Sequence, residues 1–505
     1  MRCRNNKTKY FRWIVFILLA SNISAQLKIT SVKIIGSKYF DENMLKSKLE
    51  SFSNKEYSQN IIDEDIEQIL KFYDINGFPF AKIKLTELRI DSLSKTVEIK
   101  YLVDEDLKTY VKEIRFSGNR ITKNYVLERE SSHLKNKIYN QNEIDKIPVI
   151  LKRKYLISNH EQSELFIIPN FTDSIQNNVG INFDIREGKY STIDGVIGYA
   201  PNKTGGGNFA GMFYFSTKNL IGTARVLEIK WERENEFTQE VNFLYKEPWI
   251  FNYPIDLGVQ LLQRKQDSTF ARIKFEIFIQ TFQFSYFDFQ FKLSSDEVFP
   301  LNDEKYFTSF HSRSVGGVAK IIYDDWINNK IYFSTSISEK RKNILGPNKY
   351  LNISHLKDFT QRESEIEFRY ENNIYSNYYF HEKFILKNIS SSQYEFSDYY
   401  YFGGAKNMRG YRENQFYGST VASLQNEFHL RIERESSIYL FTDFGYYSKN
   451  GDIVNPSVQK NENLFGYGFG IALPTAVGKI NIAFALAKRE VISDAKLHLN
   501  ISNEF

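Results

Sequence analysis

The sequence predicts an α+β amino-terminal half, built as two small modules, followed by an all-β membrane barrel of about 16 strands. Three observations lead there. A strand, helix, helix, strand, strand order occurs twice before residue 190. From residue 190 onward, short runs alternate apolar and polar residues between polar turns, the period of two expected when one strand face meets lipid and the other a polar lumen. The aromatic residues are divided unevenly: of 80 Phe, Tyr and Trp, 21 fall in residues 1–189 and 59 in residues 190–505.

The formal charge of +5 on 505 residues carries little information about partners. Arg2, Arg4, Lys7, Lys9 and Arg12 supply the whole excess, and the remaining 480 residues are neutral, so the basic balance predicts no nucleic-acid partner. The same basic start, the apolar run Trp13 to Ala20 and the small residues Ser21 to Ala25 read as a cleaved secretory signal over residues 1–25. Eight apolar residues are too few to span a bilayer as a helix. Cys3, the only cysteine, precedes that run, so the processed chain has neither a disulfide framework nor a thiolate metal site. No later stretch reaches the 18 apolar residues of a membrane helix, which leaves an exported soluble protein or a membrane β-barrel.

The first module, residues 27–105, opens with a strand at Lys28 to Ile35. A helix follows near Asp41 to Glu50, with Asp41 as its N-cap. A second helix over Ile62 to Ile75 places Ile62, Ile66, Ile69, Leu70 and Tyr73 at helical spacing, with Gly77 just beyond its end. Phe80 to Leu85 and Thr96 to Val103 alternate on either side of the turn Asp91 to Ser94. The second module, residues 109–188, repeats this order: a strand at Tyr110 to Phe116, helices near Thr122 to Ser131 and Asn140 to Ile157, a weak strand near Leu165 to Phe171, and a strong one at Val179 to Ile185. Two copies of one roughly 80-residue design account for the pattern.

In residues 190–505 the parity is clearest toward the end. Between Thr420 and Glu433, Ala422, Leu424, Phe428, Leu430 and Ile432 share one face, whereas Gln425, Glu427, His429 and Arg431 share the other. Ile438, Leu440 and Phe444 take the apolar parity of the next strand, leaving Phe441 and Asp443 opposite. Leu497, Leu499, Ile501 and Phe505 alternate with polar residues in a final strand that would close a barrel. A soluble β-sandwich also alternates. The aromatic load and the number of strand candidates argue for the barrel, and 316 residues at about 20 per strand and connection give about 16 strands. Phe282 to Phe291 mixes both parities and leaves its strand boundaries open.

Ile114-Arg-Phe-Ser-Gly-Asn119 and Gly77-Phe-Pro-Phe-Ala-Lys82, within the repeated order, resemble POTRA domains. Phe402-Gly-Gly-Ala-Lys-Asn-Met-Arg-Gly-Tyr-Arg412 resembles the sixth-loop motif of the superfamily that holds BamA/TamA-like assembly factors (the bacterial surface antigen family) and two-partner-secretion transporters. Lys218 to Thr223, Glu247-Pro-Trp-Ile-Phe251, Phe441-Thr-Asp-Phe-Gly445 and Gly466-Tyr-Gly-Phe-Gly470 fall in a matching order, so the resemblance spans nearly the whole processed chain. It implies a barrel in the bacterial outer membrane, with periplasmic POTRA modules and a loop near 402–418 folded into the lumen. Within that loop it implies a motif of Gly403, Gly404, Arg409, Gly410 and Tyr411, with Arg409 meeting Glu427, Phe441 and Asp443 on the strand wall. The parity reading independently places Glu427 and Asp443 on the polar face, where a guanidinium can pair with carboxylates.

No enzyme chemistry is expected, and no cofactor or metal. His-Glu-x-x-His, Gly-x-Ser-x-Gly and P-loop patterns are missing from the sequence, and the seven histidines are scattered. The glycines at 205–207 and 466–470 open no evident helix that could receive a phosphate. The resemblance implies an assembly factor for outer-membrane proteins, with the lipid bilayer, unfolded β-barrel clients and periplasmic accessory proteins or chaperones as partners. A protein-secretion pore of the same superfamily and a passive porin or receptor are the alternatives. In the first reading the terminal strand, Leu497 to Phe505, and the first strand, near Ile193 to Tyr199, form an openable seam.

Overall fold

The computed structural model describes residues 27–502 apart from 50, 52–55, 169–175, 189, 202–206, 234–236, 267–268, 285–286, 302–308, 325–328, 346–357, 376, 413, 434–435, 452–458 and 476–477. The expected signal segment and Phe505 lie outside the described residues. The chain divides into two compact units, with the main boundary in the sequence after Glu187.

The first unit holds both modules. Module one contains β1 (Lys28–Ile35), α1 (Glu42–Lys46), α2 (Gln59–Ile75), β2 (Lys82–Asp91) and β3 (Thr96–Asp104). Its sheet runs β1-β3-β2, with β1 parallel and β2 antiparallel to β3. The Asp41 carboxylate accepts the Asn43 N–H and starts α1, which stops at Lys46 rather than Glu50. Ser58 caps α2, which begins at Gln59, three residues before the expected start. Ile29, Leu45, Ile69, Val97 and Tyr101 fill the core between helices and sheet. Module two repeats the design with β4 (Thr109–Ser117), α3 (Asn124–Ser131), α4 (Gln141–Arg153), β5 (Asn159–Ile168) and β6 (Asn177–Arg186), in sheet order β4-β6-β5.

The repeat extends to a hydrogen-bonding device. Just after β3, Glu105 accepts the N–H groups of Lys38 and Tyr39 from the loop that follows β1. Just after β6, Glu187 accepts those of Arg120, Ile121 and Thr122 from the loop that follows β4. A carboxylate closes each module by satisfying backbone donors that the sheet leaves free.

The second unit is a barrel wall of 16 antiparallel strands. In chain order these are β7 (Ser191–Pro201), β8 (Gly207–Leu220), β9 (Arg225–Arg233), β10 (Gln239–Glu247), β11 (Ile255–Gln266), β12 (Phe270–Phe284), β13 (Phe287–Pro300), β14 (Phe310–Asp324), β15 (Asn329–Ile344), β16 (Asp358–Tyr375) and β17 (Tyr378–Ser391). After a small hairpin of β18 (Tyr400–Phe402) and β19 (Phe416–Gly418), the wall resumes with β20 (Thr420–Arg431), β21 (Ser437–Lys449), β22 (Lys460–Thr475), β23 (Gly478–Ala487) and β24 (Lys496–Ser502). Each wall strand pairs with its neighbour in sequence, apart from the β17–β20 pairing that bridges the hairpin. The order ends at β7 and β24, and among the described residues no ladder joins those two strands.

Exposure follows the expected parity. Ile273, Phe275, Ile277 and Ile279 of β12 are exposed, and so are their neighbours Phe287, Phe289, Phe291 and Leu293 on β13. Asp288 and Asp296, at the alternate positions of β13, are buried. A soluble sandwich buries its apolar face; here that face points out and carboxylates point in, as lipid requires. The stretch Phe282 to Phe291, whose strand boundaries the sequence leaves open, takes in the end of β12 and the start of β13, and the pairing register of the two strands shifts between Thr281 and Phe284. Connections on one rim are short, the longest spanning 248–254, whereas the opposite rim carries the long connection 392–419. Short periplasmic turns and long external loops are the arrangement of outer-membrane barrels.

Candidate functional site

Connection 392–419 folds inward and is held at two places. Its first part is a single 3₁₀ turn, Phe396–Asp398, in which the Glu395 N–H donates to the Asp398 carboxylate. Lys342 of β15, fully buried, reaches this turn: its Nζ lies 2.8 Å from Glu395 and 2.9 Å from Asp398. The same ammonium sits 3.5 Å from the centre of the Phe310 ring. Gln361 of β16 donates to Asp398 at 2.8 Å. Lys340, two residues back along β15 and likewise buried, joins Asp296 and Glu363 at 3.3 Å each, and Arg272 grips Asp296 with two hydrogen bonds. A charged band on the inner wall of β12, β13, β15 and β16 thus ends in the loop. Nothing in the local sequence pattern signals these partners.

The second anchor is the motif expected to carry Arg409. The β18–β19 hairpin presents Gly403 to Arg412, which turns back through reciprocal backbone bonds between Gly404 and Met408, both 3.0 Å. Gly403, Gly404 and Gly410 all have positive φ, at 122°, 97° and 93°. Arg409 is buried against the wall. Its backbone N–H and Nε donate to Oδ2 of Asp443 at 2.9 and 2.8 Å, and Nη2 donates to Oδ1 at 2.6 Å. Nη1 donates to Glu427. The guanidinium carbon lies 3.7 Å from the centre of the Phe441 ring. Burial alone would lower the proton affinity of the guanidinium, but Glu427 and Asp443 outweigh it and raise it. An arginine stays charged at any physiological pH, and here it offsets part of the cost of burying two carboxylates.

Two histidines absent from the expected set complete the cluster. Glu427 lies 2.8 Å from Nε2 of His429 and 3.6 Å from Nδ1 of His381. His429 is stacked between Tyr379 and Tyr439, with ring centres 4.3 and 4.6 Å away. Its position on the polar face of β20 was legible; its contact with Glu427 was not, because residues two apart on a strand meet only when the side chains lean together. Tyr411 packs edge-on against Phe416 and places its hydroxyl 3.4 Å from the backbone of Phe465. Leu497 and Leu499 of the terminal strand face outward, and Ile501 lies within β24.

The loop backbone lies directly on the wall. A methyl group added at Gly466 of β22 would stand 2.0 Å from the Arg409 carbonyl oxygen. One at Gly410 would stand 2.7 Å from the Leu486 carbonyl oxygen of β23. Glycine is required at both positions by close approach of backbone to backbone.

The Omp85 superfamily domain matches residues 219–505, and the surface antigen variable number repeat, a POTRA repeat, matches residues 27–106 and 109–188. The outer membrane protein assembly factor BamA of Buchnera aphidicola is 22% identical over 246 residues, which is 49% of this chain and 38% of that relative. The matched part therefore spans well under half the length of the relative. Among solved structures, BamA from Haemophilus ducreyi lacking POTRA domains 1-3 is similar with a TM-score of 0.57 at 15% identity, over 94% of this chain and 98% of that one. CdiB from Acinetobacter baumannii is similar with a TM-score of 0.53 at 12% identity, over 94% and 88%. At such identities these likenesses are of fold. With one superfamily domain covering more than half of its length and two POTRA repeats ahead of it, the protein belongs to the Omp85 superfamily, its barrel in the bacterial outer membrane and its POTRA domains in the periplasm.

Proposed function

We propose that the protein assists insertion of β-barrel proteins into the outer membrane by templating an incoming strand at the seam between β7 and β24. No covalent step and no nucleotide is involved. A spanning β-segment cannot leave its backbone groups unpaired in hydrocarbon, where each costs several kcal/mol, so a strand edge at membrane depth offers pairing that lipid does not. The POTRA domains would receive unfolded outer-membrane clients, or periplasmic accessory proteins, by strand addition.

One observation carries this reading. The strand order ends at β7 and β24 with no ladder between them among the described residues, while the inward loop, fastened to β15, β20 and β21 by two buried charge clusters, reaches β24 through a single neutral hydrogen bond, so the terminal strand is the least tied part of the wall. A secretion pore, the other reading, draws support from the two-domain periplasmic part and the fold likeness to CdiB.

The test is a cysteine pair placed across β7 and β24 in the processed protein, which has no other cysteine. Oxidised protein in liposomes is expected to lose insertion of unfolded barrel clients and to regain it on reduction. Full activity of the oxidised form overturns the seam. Quantifying outer-membrane proteins after depletion separates the two readings: joint loss of many barrels supports assembly, and loss of a single exported protein supports secretion.

A further inference from the structure

Met408, Arg409 and Gly410 together touch all of the last five wall strands. A methyl group added at Gly445 of β21 would stand 2.7 Å from Sδ of Met408. The Arg409 side chain reaches Glu427 of β20 and Asp443 of β21, and its carbonyl lies over Gly466 of β22. Gly410 lies on the Leu486–Ala487 backbone of β23. Its N–H then donates to Nε2 of His498 on β24, at 3.1 Å in a buried setting. These three residues form a strut across the inside of the wall, and its far end rests on the terminal strand.

We propose that His498 is a positioning residue that latches β24 to the inward loop and fixes the register of that strand. Three observations support this. His498 is buried whereas its neighbours Leu497 and Leu499 are 72% and 61% exposed, so a slip of one residue would carry a leucine inward and lose the acceptor. β24 has seven residues and pairs with β23 through seven positions, His498 opposite Ala483, so one added contact is a large fraction of what holds it. Because the glycine N–H is the donor, Nε2 must be the unprotonated nitrogen and Nδ1 carries the proton, which sets the tautomer. Release of β24 from the wall must break this bond and leave the buried Gly410 donor unpaired. The latch stands on its own geometry, and its role in opening the seam rests on the templating reading above.

The test compares His498→Leu, His498→Gln and His498→Asn with the parent in the full processed protein reconstituted in lipid, by hydrogen–deuterium exchange. Glutamine carries an amide oxygen about as far along the side chain as Nε2; asparagine is too short and leucine has no acceptor. Exchange in β24 is expected to quicken about tenfold in the leucine and asparagine variants, while the glutamine variant stays near the parent and β21–β22 is unchanged. Heat-dependent gel mobility confirms that each variant folds, and if the leucine form does not, the isopolar glutamine and asparagine pair carries the comparison. Parental exchange in the asparagine variant, or equal quickening in the glutamine variant, overturns the latch. Client insertion is measured separately: quickened β24 exchange with unaltered insertion supports the latch and overturns templating, whereas unaltered β24 exchange overturns the latch whatever insertion does.

Discussion

Arg409 and Asp443, 34 residues apart in the chain, share three hydrogen bonds, one from the arginine backbone and two from its guanidinium. The backbone bond means that Asp443 positions the loop even where the side chain is changed, so the two residues are not interchangeable in their effects. Arg409→Ala leaves Asp443 and Glu427 buried without a counter-charge and is expected to weaken loop docking by about 3–5 kcal/mol. Arg409→Lys keeps the charge but not the paired donors and should lie between. Limited proteolysis of residues 402–418 reads this out. Equal protection in parent and alanine variant would refute it, and under the proposed assembly function client insertion is expected to fall in the same ranking.

Gly466→Ala is expected to lift the same loop without touching its charges. The added methyl meets the Arg409 carbonyl at 2.0 Å, and neither backbone can yield without moving β22 or the loop. The loop is the softer of the two, because β22 is paired on both sides. Protease sensitivity should approach that of Arg409→Ala while heat-dependent gel mobility remains that of a folded barrel. A variant with a fully protected loop would show that the contact relaxes in some other way.

The barrel was legible because lipid imposes a rule on every second residue. On β20 and β21 that rule alone put Glu427, Phe441 and Asp443 on one face, and the register sets Glu427 opposite Phe441 and Gln425 opposite Asp443. Where the rule lapses, as at the β12–β13 hairpin, strand boundaries could not be placed. The modules were legible as an order of elements, but α1 ends four residues early and α4 stops at Arg153 where Tyr155 takes a left-handed conformation, endings set by local backbone geometry rather than periodicity. Lys342 with Asp398 and Gly410 with His498 lie 56 and 88 residues apart, and no period relates them. Such contacts depend on where an irregular loop comes to rest, which strand alternation does not encode.

The loop's first anchor should respond to pH through Glu395, which lies in the loop, outside the membrane-spanning strands. Burial pushes its carboxyl up from its ordinary 4.5 to about 7, Lys342 pulls it back and Asp398 adds to the rise. Burial would also raise Asp398, but Lys342 and Lys340 outweigh it and hold that carboxyl below its ordinary range. A carboxyl raised on docking contributes most below its ordinary value and loses that contribution as pH climbs through about 7; a depressed one loses its contribution only as pH falls through its lowered value. Docking is therefore expected to be tighter at pH 5.5 than at pH 8.5. Glu395→Gln should remove the difference, and Lys342→Met should loosen the loop at both values. A pH dependence in the glutamine variant equal to that of the parent would assign the effect to another group.

In the periplasmic unit, Asp74 sits at the carboxyl end of α2, where the helix dipole already disfavours a negative charge. Burial pushes its carboxyl up from 3.8 to about 6, and Asp145 on α4 raises it further. Its contribution to stability is therefore complete below about 3.8 and is lost as pH rises through about 6, so at neutral pH the ionised group works against the fold. Asp74→Asn is expected to stabilise the first POTRA domain by about 1–2 kcal/mol at pH 7.5, the full linkage value being discounted for partial exposure. Near pH 4 the gain should vanish, because the parent carboxyl is then neutral as well. Hydrogen exchange along α2 in the intact protein, compared between parent and variant at each pH, measures both halves of this expectation, and an equal gain at the two values would mean that the asparagine acts by packing and not by removing a charge.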